Sequence, residues 1–327
     1  VPTQEVCTVR EARRAALDHV LRLIATAPWS GGLVLRGSMT LTAWLGPAAR
    51  EPGDLDFIAL EPASDSFPDP LSPFPHLDAI ADVQQWPEAA HGAAAAQLWF
   101  PEGEFDTFGS RPVLPPEGLR WLGRSAYEPA SPHEDLVAAV RADPHAAGGV
   151  LLDADGIEED GNWTYREYET AGVRLKVPFR RRWGERGEIH IDFASDEVLP
   201  EAPVWTAVPQ GDGGPPTPVP TASPALSLAW KLLWLCTDAA GDGVAGAKDL
   251  YDAVLLAESP RTRLRSPLLR KVLGEHAHGF APDTVHGWQA DWRTFRAAHP
   301  GVTGDLASWR DRLATALTPV CANPASP

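Results

Sequence analysis

The sequence predicts an α+β protein: a mixed sheet with flanking helices over residues 1–222, then a helical domain over 223–327. Three observations carry this expectation. Short apolar segments near the N-terminus, "LVLR" and "LDFIAL", are separated by a helix-like run. Two segments further on, "GVRLKVPFR" and "EIHIDFA", alternate like antiparallel strands. After "VPQGDGGPPTPVPTASP", whose composition is that of a linker, the chain turns to helical periodicity.

In chain order, Thr8 to Ala27 reads as an amphipathic helix, with Val9, Ala12, Ala16, Val20 and Leu23 on one stripe, Thr8 as N-cap and Glu11 three residues on. Trp29 to Gly32 is a turn, "LVLR" a strand, Ser38 to Leu45 a helix, "GPAAREPG" a loop and "LDFIAL" a second strand. From Glu61 to about Pro132 the chain is Pro-rich and poorly periodic and reads as an insertion. Within it "HLDAIADVQQW" suggests a short helix and "AAAAQLWF" is ambiguous. His133 to Val140 looks helical, with Ser131 as a candidate cap, and "NWTYREYET" alternates like a strand. The helical part reads as "ALSLAWKLLWLC", "AKDLYDAVLLAE", "SPLLRKVLGEH", "TVHGWQADWRTFRAA" and "LASWRDRLATAL".

With 44% hydrophobic and 22% charged residues the chain has material for a real core. A net charge of −16 argues against a general nucleic-acid binder, because neutralising phosphate needs clustered Lys and Arg. Two basic segments break the pattern: "GVRLKVPFRRRWGER", with Glu185 its one acid, and "RTRLRSPLLRK", with none. Each is either a local phosphate-binding face or a solvated surface. Cys7, Cys236 and Cys321 match neither a zinc spacing nor a disulfide framework. The first residues show no signal-peptide core and no window nears 18 apolar residues, so the expected location is the cytoplasm, away from any membrane.

Asp54 and Asp56 share one face of the second strand while Leu55 and Phe57 share the other. Two carboxylates this close repel unless water or a cation compensates, and Asp-x-Asp is a hard oxygen pair suited to Mg²⁺ or Mn²⁺ with substrate phosphates. Alone, such a pair is as readily a polar strand edge. Upstream, Gly37 and Ser38 stand between a strand and a helix start, where glycine admits a phosphate to the backbone and the helix N-terminus offers free N–H groups. A plain turn with an N-cap is the other reading. Asp192, between Ile191 and Phe193, supplies a third strand carboxylate, and three such groups can hold metal for phosphoryl chemistry. Glu188 and His190 share its face, His190 as a bystander. Lys231, the single charge in "ALSLAWKLLWLC", either snorkels to solvent or reaches an anion. "GDGVAGAKD" is not a Walker loop: Ala247 precedes Lys248, and Asp249 stands where Ser or Thr is required.

The order Gly-Ser, Asp-x-Asp and a later strand Asp resembles the polymerase β-type nucleotidyltransferase superfamily. More narrowly, Gly172-Val173-Arg174, "IHIDFASDEVLP", "LAWKLLWL" and "AKDLYDAVLLAE" resemble the AbiEii/AbiGii toxin family of nucleotidyltransferases, in the family's order over about residues 30 to 257. The resemblance implies a nucleotidyltransferase-like sheet. It also implies that Gly37, Ser38 and Lys231 bind a nucleoside triphosphate, that Asp54, Asp56 and Asp192 bind metal, and that Lys231 and Asp249 complete the active site from the helical domain. Asp252 shares a helix face with Asp249; the family pattern favours Asp249 as the functional one. The chain departs from the pattern in its long Ser38-to-Asp54 gap, in "VAGAKD" and in the Pro-rich segment.

The function expected is transfer of a nucleoside monophosphate from a triphosphate to an acceptor hydroxyl, releasing pyrophosphate. The resemblance adds a toxin-like or phage-defence role, a tRNA 3′ end as acceptor and a cognate antitoxin among the partners; a protein hydroxyl or a small metabolite is the alternative acceptor. The rival reading is a catalytically silent nucleotide-sensing or partner-binding module with the same fold; a phosphohydrolase is the third.

Overall fold

A computed structural model describes residues 9–59, 132–160, 164–165, 170–181, 186–194, 199–241 and 243–322. Val1–Ala59 and Leu136–Pro327 make one compact unit, which holds the whole sheet, both hydrophobic cores and the candidate site. Leu60–Asp135 make a second, of which only the short run from Pro132 is described. The Pro-rich segment, the caps Thr8 and Ser131, Cys7 and most of "NWTYREYET" fall outside the described residues.

The elements are α1 (Val9–Thr26), β1 (Leu33–Arg36), α2 (Ser38–Leu45), β2 (Leu55–Ala59), α3 (Pro132–Ala142), β3 (His145–Ala146), β4 (Val150–Leu152), β5 (Glu158–Asp160), β6 (Thr164–Tyr165), β7 (Thr170–Arg181), β8 (Arg186–Ala194), β9 (Val204–Val208), β10 (Thr217–Thr221), α4 (Pro224–Gly241), α5 (Ala247–Glu258), α6 (Ser266–Leu273), α7 (Trp292–Ala298) and α8 (Leu306–Ala322). The strands form one mixed sheet in the order β3-β4-β7-β8-β2-β1-β10-β9, with β5 and β6 also on β7. The pairs β2–β8 and β1–β10 are parallel; the others are antiparallel.

The two faces of the sheet's centre differ, as strand alternation requires. Leu55, Phe57, Leu175, Ile191 and Phe193 share a core with Ala16, Leu17, Val20 and Ile24 of α1, and the Phe57 and Phe193 rings stack at 5.6 Å. The alternate residues carry the charges of the candidate site. A second core is helical, built on Leu228, Leu232, Leu235, Leu250, Val254 and Leu313, and takes in Leu41 from α2.

Two expectations are corrected. The segment read as a linker holds a strand: β10 lies between β1 and β9, and β9 itself ends at Val208 within that segment. Pro218 and Pro220 gave it a linker's composition. A strand's successive N–H groups point to opposite neighbours, so prolines two apart strip donors from one side only. In keeping with this, β10 pairs with β9 through five residues but with β1 only at Leu35 opposite Thr221. In "TVHGWQADWRTFRAA" only Trp292–Ala298 is α-helix, capped by the Asp291 carboxylate on the Thr294 N–H; Pro282–Gly287 is a 3₁₀ turn.

Candidate active site

The candidate site grows from the β1–α2 turn. Gly37 has φ 75° and ψ −157°, a region that only glycine occupies readily. A Cβ there would sit 2.1 Å from Asp56 Oδ2, so the turn needs glycine for space as well as for conformation. Ser38 opens α2; its hydroxyl donates to Asp54 Oδ1 at 3.4 Å and accepts the Gly53 N–H at 3.3 Å, tying the helix start to the loop before β2.

Sheet register then lines up four charges. Arg36 faces Asp56 across β1–β2, Asp56 faces Asp192 across β2–β8, and Asp192 faces Arg174 across β8–β7. Cross-strand partners lie on one face, so this is a transverse row of cation, anion, anion, cation. Asp54 stands at the entry to β2, and one oxygen from each of Asp54, Asp56 and Asp192 lies within 4.8 Å of the others. Arg174 grips Asp192 through Nε and Nη2, both at 2.7 Å, in a fork-to-fork pair. Arg36, 1% exposed, lies beneath the Trp230 ring of α4, 5.6 Å from its centroid.

Burial pushes the Asp56 carboxyl up to about 8; the charge of Asp54 adds to this, and Arg36 opposes it. Three carboxylates face two arginines, so the cluster holds more acid than base. Clustered hard oxygens with such an excess of acid fit a divalent cation of the Mg²⁺ or Mn²⁺ type.

The helical part adds a second ionic group. Lys231 of α4 is buried, its Nζ 2.5 Å from Asp249 Oδ1 and 3.4 Å from Asp252 Oδ2. Arg50, in the loop between α2 and β2, donates from Nε to both Asp252 oxygens at 3.1 and 3.0 Å. Burial favours neutral Lys231, but its two carboxylates outweigh that and raise its pKa; burial likewise works against ionised Asp249, but Lys231 holds it below its usual range. Lys231 also attracts Asp56, and Arg50 is drawn toward Asp54. The same loop is fastened by Tyr251 Oη on Ala48 O at 2.8 Å and by Arg10 on Glu51 at 3.0 Å.

All seven residues singled out from sequence therefore fall in one region: Gly37, Ser38, Asp54, Asp56 and Asp192 in direct proximity, with Lys231 and Asp249 linked to them electrostatically. Arg36, Arg50 and Arg174 were not among them. Arg174 stood in the quoted motif; Arg36 is a charge in an apolar strand; Arg50 carried no pattern. Asp252 proves as engaged as Asp249. His190 stays outside the carboxylate cluster and pairs with Glu188 at 3.0 Å. The first basic segment spends charge inside the fold, Arg174 on Asp192 and Lys176 on Asp160. Among the described residues no helix is long and apolar enough to cross a membrane.

A family model described as nucleotidyl transferase AbiEii toxin, Type IV TA system, matches residues 130–318. That span contains Arg174, Asp192, Lys231, Asp249 and Asp252 but stops short of Gly37, Ser38, Asp54 and Asp56, which the fold brings to it through the β2–β8 register. No curated protein matches the chain. With more than half of its length covered, the chain belongs to the AbiEii nucleotidyl transferase toxin family.

Proposed function

We propose that the chain transfers a nucleoside monophosphate from a nucleoside triphosphate to an acceptor hydroxyl, and that Asp54, Asp56 and Asp192 hold the divalent cation, Mg²⁺ or Mn²⁺, on which this depends. The observation that carries the reading is the convergence of three carboxylates within 4.8 Å beside a glycine turn that admits no side chain. A cation bound there would neutralise phosphate charge and lower the pKa of the attacking hydroxyl.

The chain's own groups supply the rest. Gly37 and the free N–H groups opening α2 receive the triphosphate, with Ser38 fixing the turn. Lys231, kept charged by Asp249 and Asp252, presents positive potential toward the same place. The acceptor oxygen forms a bond to the α-phosphorus as the bond from that phosphorus to the bridging oxygen breaks. Pyrophosphate leaves, and the hydroxyl proton passes to a carboxylate of the cluster. Rate enhancement then comes from positioning and charge neutralisation. Residues 1–222 carry the metal and the turn, and 223–327 complete the site. In keeping with a Type IV toxin–antitoxin family we assign a growth-restraining role opposed by a cognate antitoxin in the cytoplasm, with an RNA 3′ end such as that of tRNA as the acceptor.

The test is incubation with each labelled triphosphate, Mg²⁺ or Mn²⁺, total RNA and total protein, with the product identified by mass. Label in RNA, lost in Asp56→Asn, is the expected result. Label in protein alone would replace the acceptor. Triphosphate breakdown without transfer would make the protein a phosphohydrolase, and metal-dependent binding without turnover would make it a silent module.

A further inference from the structure

The second basic segment enters none of this chemistry, yet the fold gives it a definite place. Between α5 and α6 the chain runs Arg261-Thr262-Arg263-Leu264-Arg265, with arginine at alternate positions. All three arginines line one cavity of about 390 Å³, together with Glu201, Val204 and Ser223. Glu201, the one acid in that lining, is hydrogen-bonded to the Ser223 hydroxyl. That hydroxyl also accepts the Leu226 N–H at 3.0 Å in the first turn of α4, so the positive end of an 18-residue helix faces the same space. Arg261 is anchored on the carbonyl of Ala43 at 3.0 Å, and among the described residues none of the three arginines has an ion-pair partner. In a chain of net charge −16, a cavity with three arginines against one engaged glutamate is set apart for an anion.

Two further facts give the anion a shape. Val204 begins β9, the outermost strand at this end of the sheet, and the next residue, Trp205, is 76% exposed. Trp205 does not itself line the cavity; as the chain neighbour of a lining residue, its exposed indole offers a stacking surface for a base beside the cationic seat. Val204 pairs with Thr221 on β10, Thr221 with Leu35 on β1, and the following residue, Arg36, with Asp56 on β2. Val204 therefore stands at the same end of the strands as the Gly37 turn, and β9 lies three strand spacings, or about 15 Å, from the β2 strand that carries the carboxylates.

We infer that Arg261, Arg263, Arg265 and Trp205 form the track for a single-stranded acceptor RNA, gripping its phosphodiesters and stacking a base upstream of the hydroxyl presented at the acidic site. This rests on the reading that the acceptor is RNA.

The experiment measures binding of a short 5′-fluorescent single-stranded RNA of mixed sequence by anisotropy over a salt series, with binding of a labelled triphosphate plus Mg²⁺ read in parallel. Arg263→Glu/Arg265→Glu is expected to weaken RNA binding at least about tenfold and to flatten the salt slope by about two, one for each phosphate no longer neutralised. Trp205→Ala should weaken it about tenfold with the salt slope unchanged. Triphosphate affinity should stay within about twofold in both. Arg263→Gln/Arg265→Gln, a gentler change with the same expected salt slope, separates removal of the two cations from a failure to fold. RNA affinity and slope unchanged in these variants would overturn the track. So would a matched loss of triphosphate binding, which would assign the cavity to the nucleotide, or loss of protein-partner capture with RNA binding intact. Wild type that binds RNA in this way yet never labels it would sink the transferase reading and leave the track standing.

Discussion

Gly37 and Asp56 lie so close that a Cβ on the first would collide with the carboxylate of the second, and each constrains the other. Alanine at position 37 must adopt a backbone region that costs about 1–3 kcal/mol and must also displace the Asp56 carboxylate from 2.1 Å. Gly37→Ala is therefore expected to lower the melting temperature and to abolish triphosphate binding, measured by thermal unfolding and equilibrium dialysis. Asp56 behaves in the opposite way. Its folded-state pKa of about 8 lies above the ordinary 3.8, so its contribution to stability is fully present below the ordinary value and is lost as pH rises through about 8. In chelator-treated protein, Asp56→Asn should accordingly melt several degrees above wild type at pH 8, the gap closing toward pH 5. A variant less stable than wild type at pH 8 would contradict this account of the charge. Neither property was visible in the string "GSMTLTAWLGPAAREPGDLDF", although the need for compensation between Asp54 and Asp56 was.

At the level of elements, α5 is held to the rest of the site by its acidic face. Asp252, fully buried, receives Arg50 from the loop before β2 and Lys231 from α4, whereas Asp249 receives Lys231. Removing one member of a buried ionic group leaves the others uncompensated, a cost of about 3–5 kcal/mol. Asp252→Ala, which strands two cations, should lower unfolding free energy more than Asp249→Ala, which strands part of one. A denaturant titration that ranks them the other way would remove Asp252 from its bridging place. The element most misread from sequence, β10, was misread for a physical reason. Composition weighs Pro218 and Pro220 as breakers, but a strand with one lightly paired edge tolerates them. Expected helices such as α2 at Ser38–Leu45 and α5 at Ala247–Glu258 matched their spans, whereas α4 runs on to Gly241, past the expected end at Cys236.

For the molecule as a whole, a divalent cation that binds only the folded state raises its stability in proportion to the logarithm of concentration. Mg²⁺ or Mn²⁺ at a hundred times its dissociation constant should add about 2.7 kcal/mol. Wild type should therefore melt several degrees higher with either cation than with Na⁺ at equal ionic strength, and Asp54→Asn should not. Equal shifts for Na⁺ and Mg²⁺ would mean mere screening of a chain of net charge −16.

The sequence by itself determined the fold class, the Gly-Ser turn, the carboxylates and the lysine. Each is a local pattern: strand alternation puts Asp54 and Asp56 on one face, and helical periodicity leaves Lys231 as the lone charge of an apolar run. The arginines belong to the tertiary structure. Arg36 and Arg174 became partners of Asp56 and Asp192 through strand register, and Arg50 met Asp252 across about two hundred residues. Charge compensation is a property of distance in space, and only the packed sheet and helices set those distances.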